Sequence, residues 1–314
     1  MRSWLRFVAV VLFTVVVCSA DGKAVAGEAP HSASQAVAPR DLFGRDNLVA
    51  WCIVPFDGKH RGPKERAEML HRLGIHRLAY DWRDEHVPTF EEEVLQTKKH
   101  GIEFTAFWHM HADFVPLVRK YGIKPQIWIV METPKEGRDE ERIAEAADGV
   151  MPAVNQTGEL GCRLALYNHG GWSGEPDNMV AVVNRLRARS DADHVGIVYN
   201  LHHGHDHLAD LPAVLARMMP YLFCLNINGM VAGGDGNGMK ILPLGQGDLD
   251  LVVLKTILSS GYRGPIGILN HTDEDAEARL QDNLDGLDWL VRQLEGLPAG
   301  PKPTPRTWKP KPQS

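Results

Sequence analysis

The 314-residue sequence has little cysteine and no long apolar run. Of its four cysteines, Cys18 falls in the first twenty residues. The other three, Cys52, Cys162 and Cys224, are odd in number and sit in or beside apolar runs. A disulfide scaffold is not supported, and buried free thiols are expected. The apolar stretch at residues 7–17 is too short to cross a bilayer as an ordinary helix. No GxGxxG follows the first strand-like run, which argues against a dinucleotide site. No GxSxG elbow is present for a serine hydrolase, and no HExxH or zinc-finger spacing for a zinc site. Positive charge is also short. The formal charge is -6; it becomes -8 without Arg2 and Arg6, and -12 without the four cations of the C-terminal tail. That balance argues against a nucleic-acid-binding surface.

The two ends differ from the body. Arg2 and Arg6 precede the apolar stretch, and Cys18, Ser19 and Ala20, then Ala24, Val25 and Ala26, follow it. This is the pattern of a secretory signal peptide cut after Ala20 or Ala26. Residues 1–26 are therefore expected to be leader and 27–45 linker. The mature protein is expected to be periplasmic or extracellular, with no transmembrane helix. Residues 298–314 hold Lys302, Arg306, Lys309 and Lys311, six prolines and no acid. A disordered or polyproline II tail is expected there.

Between the ends, short apolar runs alternate with longer amphipathic ones. The strand-like runs are 48–54, 77–80, 103–108, 126–130, 162–167, 194–199, 221–227 and 265–269. The helix patterns are 63–73, 89–100, 114–121, 139–151, 176–189, 207–219, 249–259 and 273–294. The strand runs are nearly continuously apolar, as parallel strands buried on both faces require. Gly74, Gly101, Gly122, Gly161 and Gly261 stand where helices should stop. Eight strand-then-helix units predict a single α/β domain, a (β/α)8 TIM barrel over residues 46–297.

In such a barrel chemistry collects at the C-terminal strand ends. There the sequence places Tyr80, Asp81 and Arg83, then Trp108, His109 and His111. Glu132 follows, then Tyr167, Asn168, His169 and Trp172, and Asn200, His202, His203 and His205. Asn226, Asn228, Asn270 and His271 complete the set. Trp108 and Trp172 suit stacking on the C–H face of a sugar, with Asn and His bonding its hydroxyls. Asp81, Glu132 and Glu175 are the carboxylates available to a two-carboxylate glycosidase. The Gly-rich stretch 233–238 reads as a rim loop.

Four segments carry a resemblance: LALYNHGG at 164–171, VYNLHH at 198–203, LGQG at 244–247 and GYRGPIGIL at 261–269. Together they resemble the xylose-isomerase-like barrel superfamily of sugar isomerases and epimerases, over roughly residues 47–295. The resemblance implies a divalent metal held by Glu, Asp, His and Glu from strands five to eight. Tyr167, Asn200, Asn226 and Asn270 stand at those positions here. A neutral amide takes no proton near pH 7, and the anionic charges are gone.

Two readings follow. In the first, histidines serve a changed metal or a metal-free proton transfer beside a sugar carbonyl, as in isomerisation, epimerisation or a lyase step. His169, His203 and Glu175 are then the catalytic candidates, and His169, His203 and His205 the metal candidates. Trp108, His109, Tyr167, Asn168, Trp172, Asn200, Asn226 and Asn270 would bind the sugar. In the second, catalysis is lost and a carbohydrate-binding barrel remains.

Overall fold

A computed structural model describes residues 37–189 and 192–308. A short helix α1 (Pro39–Phe43) precedes eight parallel strands that close in sequence order into a barrel. The strands are β1 (Leu48–Trp51), β2 (Arg77–Tyr80), β3 (Glu103–Trp108), β4 (Gln126–Ile129), β5 (Arg163–Tyr167), β6 (Val195–Asn200), β7 (Leu222–Ile227) and β8 (Ile266–Leu269). The helices that follow α1 are α2 (Pro63–Leu73), α3 (Phe90–Lys99), α4 (Phe114–Tyr121), α5 (Asp139–Leu160), the one-turn α6 (Gly171–Gly174), α7 (Pro176–Arg189), α8 (Leu211–Met218), α9 (Asp250–Ser259) and α10 (Ala276–Leu294). The architecture is the (β/α)8 TIM barrel that the alternating pattern predicts. The five helix-stop glycines all take left-handed φ, between 63° and 80°, a conformation with little cost for a residue lacking Cβ.

Strand alternation sorts the side chains into two cores. Outward residues of the strands pack under the helices in one large cluster. Inward residues fill the barrel: Val49 and Trp51, Ala79, Ala106, Trp128, Ala165 and Tyr167, Val198, Cys224 and Leu269. The alanines make room for the large rings. Trp51 meets Trp128 edge-on at 4.8 Å, and Trp108 meets Tyr167 the same way at 4.8 Å. The buried Trp128 indole donates to Gln126 Oε1 at 2.9 Å, so its polar edge is satisfied inside the core. Gly267 serves close approach: a Cβ there would lie 1.8 Å from Asn226 Oδ1. Closure is uneven. Strand β1 meets β8 through four residue pairs, Leu48↔Ile266 to Trp51↔Leu269, but meets β2 through one, Ala50↔Leu78.

Cys52, Cys162 and Cys224 are buried and free. Strand β1 stops at Trp51 and α8 starts at Leu211, shorter than the patterns 48–54 and 207–219, and three segments differ more. Helix α5 runs through Pro152 to Leu160. Pro152 is on the exposed face, where the carbonyl it leaves unbonded can be hydrated. The stretch expected to be linker contains α1, which buries Leu42 and Phe43 and bonds Glu295 through Arg40. The tail is docked through residue 308 rather than disordered. Asp282 accepts the backbone N–H groups of Arg306 and Thr307, and Gln246 donates to the carbonyl of Pro303. The expected leader lies outside the described residues. Among the described residues, no helix is long and apolar enough to cross a membrane.

Candidate active site at the barrel mouth

Where the inward side chains run past the strand ends, they enclose a cavity of about 60 Å3. Its walls are Trp51, Cys52 and Phe56 after β1, Asp81 and Arg83 after β2, and Trp108 on β3. Tyr167 and His169 from β5, His203 after β6 and His271 after β8 complete it. Two of these residues, Cys52 and His271, hold positive φ of 58° and 34° without being glycine. Such strain is concentrated at functional sites in proteins generally. Phe56 covers part of the opening: its ring lies 4.1 Å from that of His271, with the Arg83 guanidinium 5.6 Å from its centre.

Of the residues expected at the site, Trp108, Tyr167, His169 and His203 line this cavity. The His169 and His203 rings are 4.6 Å apart. Burial first, then the neighbouring His169, pushes the His203 imidazole down to about 3. It is therefore neutral near pH 7 but a weak proton acceptor. Burial also holds His271 and the deeper His202 below the ordinary imidazole range.

Beneath the cavity the polar groups are tied to one another. The Tyr167 hydroxyl accepts the Asn200 amide N–H, and burial holds its phenol well above the usual range. Asn200 Oδ1 lies 2.7 Å from His202 Nδ1. Asn226 is fully buried, with its oxygen 3.4 Å from the Cys224 thiol and its Nδ2 without a partner.

Several expected site residues lie elsewhere. Asn168 is buried, bonds the Asn200 backbone through both side-chain atoms at 2.6 and 3.0 Å, and is not among the cavity walls. Asn270 follows inward-facing Leu269, so alternation turns it to the other side of the barrel wall, and His271 lines the mouth instead. Trp172 sits on α6 and stacks under Arg142 of α5 at 4.6 Å. The same turn carries Glu175 to the surface, 3.0 Å from His207. His205 is held by the Lys240 carbonyl at 3.0 Å. His109 faces a different hollow, on the flank between β4 and α5. That hollow is larger, about 690 Å3, but its acids Glu132 and Glu145 are exposed, and none of its lining atoms is a buried polar group left unpaired.

Asp81, Arg83 and His271, which the sequence set at the strand ends without a role in proton transfer, also line the cavity. Asp81 is 2% exposed, and neither carboxyl oxygen has a hydrogen-bond partner among the described residues. Burial raises its carboxyl to about 7, against the pull of Arg83 and nearby backbone N–H groups. Alternation was the available signal: Ala79 fills the barrel, so Asp81 two residues on must point the same way.

The residues present do not fit a resident divalent cation at the positions that the family resemblance marks. Tyr167 and Asn200 are bonded to each other, the oxygen of Asn226 faces Gly267, and Asn270 is turned away. Among the described residues, no three His, Cys, Asp or Glu side chains converge to hold a metal ion.

No protein-family model and no curated protein sequence matches the chain. Solved structures do. The IolI protein with a bound zinc atom is similar with a TM-score of 0.60 at 15% identity, over 79% of this chain and 98% of that one. The 3-keto-D-glucoside 4-epimerase YcjR from E. coli gives 0.57 at 16%, over 78% and 98%. The probable 3-DHS dehydratase AsbF from Bacillus anthracis gives 0.58 at 12%, over 76% and 98%. At these identities the likeness shows the fold alone, a (β/α)8 barrel of the kind these proteins share.

Proposed function

We propose that this protein acts on a sugar or related polyhydroxylated carbonyl compound at the barrel mouth. It moves a proton at the carbon beside the carbonyl, as an isomerase or epimerase does, or in a related lyase step, without a resident metal. The observation that supports this reading is unused polar capacity in a buried, aromatic-walled mouth. Both oxygens of Asp81 and Nδ1 of His271 lack partners among the described residues. Such groups are costly to bury unless a ligand satisfies them. Trp108 offers an apolar face beside them. A hollow of about 60 Å3 has room for a few waters. It suits the carbonyl end of an open-chain sugar better than a closed ring. Export, expected from residues 1–26, favours a neutral or oxidised sugar over a phosphorylated one.

The test is proton NMR in D2O with ketoses, aldoses and 3-keto-glucosides, with and without a chelator. The expected result is solvent deuterium at the carbon beside the carbonyl, at a rate the chelator does not change. Binding without exchange on every sugar would instead support the carbohydrate-binding barrel. Absence of both binding and exchange would remove the carbohydrate reading.

A further inference from the structure

We infer that Asp81 is the group that takes and returns the proton at this mouth, while His203 is confined to hydrogen bonding. The inference rests on the functional reading above and assigns its chemistry to a residue that no family motif marks. The Asp81 carboxyl lies within the cavity wall; neither oxygen has a hydrogen bond of good geometry among the described residues, and only the Cys52 thiol and nearby backbone N–H groups act on it. A side chain kept only for structure would have partners: Asp57, for comparison, accepts from Lys59, Arg61 and Ala276.

The neighbours of Asp81 do not compete for the role. On β1 the Cys52 thiol is pushed up by burial and by Asp81 itself, so it stays protonated. On β2, burial pushes the Tyr80 phenol well above its ordinary range, and Nη1 of Arg83 is spent on the carbonyls of Asp81 and Trp82. Arg66 of α2 is paired with Glu93. Across the mouth, Tyr167 is a phenol and His203 and His271 are neutral imidazoles, with His169 at the outer edge. Among the described residues that line the mouth, Asp81 alone combines a buried oxygen without a well-formed hydrogen bond with a protonation midpoint near neutrality, where one group serves as base and then acid with least penalty.

The step balances within substrate and carboxylate. The C–H bond beside the carbonyl breaks, and its proton passes to an Asp81 oxygen. Its electron pair moves into the substrate, and the carbonyl oxygen becomes an enolate oxygen that faces Arg83. The proton on Asp81, exchangeable there with solvent, returns to the former carbonyl carbon, while the hydroxyl proton of the carbon that lost its C–H passes to the enolate oxygen; the new carbonyl stands on that carbon and gives the isomer. A single carboxyl on one face favours this 1,2-shift over inversion, which needs a donor on the opposite face.

The test uses the mature protein and the variants Asp81→Asn and His203→Asn. In wild type, kcat/KM for exchange should rise with pH through about 7. Asp81→Asn should lose that limb and about 10²–10⁴-fold in rate, yet still bind xylitol in an NMR titration. His203→Asn should keep the limb. Infrared difference spectroscopy gives a readout that needs no turnover. A protonated carboxyl titrating near neutrality, moved by xylitol and missing in Asp81→Asn, supports the assignment. Exchange undiminished in Asp81→Asn, or an Asp81 carboxyl titrating in the ordinary carboxylate range, overturns it. If no sugar exchanges in wild type, the functional reading fails, and the infrared titration still decides whether Asp81 carries a neutral-range proton.

Discussion

Asn200 Oδ1 lies 2.7 Å from His202 Nδ1 and can only accept. The proton therefore sits on Nδ1, which leaves Nε2 of His202 a bare acceptor, buried and without a partner. The same Asn200 holds the Tyr167 hydroxyl through its amide N–H. One amide thus sets a histidine tautomer on one side and a phenol on the other. Asn200→Ala should strand both partners in a buried place and cost about 1–3 kcal/mol for each group left unsatisfied. Urea denaturation measures the loss. A variant as stable as wild type would show that these bonds are not maintained in solution.

Asp81 should make stability depend on pH in an unusual direction. Its folded carboxyl titrates at about 7, above the ordinary value of 3.8. The unfolded chain therefore ionises more easily. Stability is fully present below about 4, falls as pH rises to about 7, and levels off beyond. Asp81→Asn should remove this fall. It should be more stable than wild type at pH 8, by on the order of a few kcal/mol, and similar to it at pH 4. Equal stability at both values would show that Asp81 ionises freely in the folded protein.

His203 acts at the other end of the scale. Its folded value, about 3, is below the ordinary 6.5. The stability it contributes is present above 6.5 and is lost as pH falls toward 3. His203→Asn should flatten that part of the acid limb of the thermal melting curve. An unchanged limb, or a His203 ring that titrates near 6.5 by NMR, would show that the ring is hydrated.

The tail should stabilise the barrel measurably. Asp282 accepts two backbone N–H groups and the Thr307 hydroxyl, and it pairs with Arg306. These bonds hold its carboxyl below the ordinary range despite burial. Asp282→Ala should cost about 1–3 kcal/mol and make residues 298–308 accessible to protease. Trypsin cleavage at Arg306 follows this directly, and no change in cleavage would mean that the tail is free in wild type.

The barrel was legible because its signal is repeated. The run LALY at 164–167, for example, reads as a strand buried on both faces, and five of the helix patterns ended at a glycine. The site was legible only where it obeyed strand alternation. Tyr167 and His169 share a face with Ala165, and all three point inward. Asn270 was misplaced because family position was followed rather than its phase with Leu269. Trp172 and Glu175 were misplaced because the one-turn helix α6 swings the chain outward just after the strand, and a four-residue turn leaves no periodic trace. Asp81 was visible as one of three candidate carboxylates, and nothing in the sequence set it apart from Glu132 and Glu175, since burial is a property of the assembled barrel. The docked tail is a similar case: its prolines suit an extended chain, and the anchor for that chain, Asp282, lies 24 residues before Arg306 on α10, where the sequence marks it as one more helix acid.

The uneven closure around β1 has a consequence for how the molecule is made. Strand β1 leaves the ribosome first, yet its four-pair partner β8 leaves nearly last, while the neighbouring β2 offers a single pair. The first strand therefore waits through most of synthesis for its best partner, an arrangement of high contact order. During that wait Trp51 and Cys52, which end up at the base of the mouth, have no barrel to enter. The oldest segment of the chain is the last to be housed, and the Asp81 side of the mouth is completed only when synthesis is nearly over.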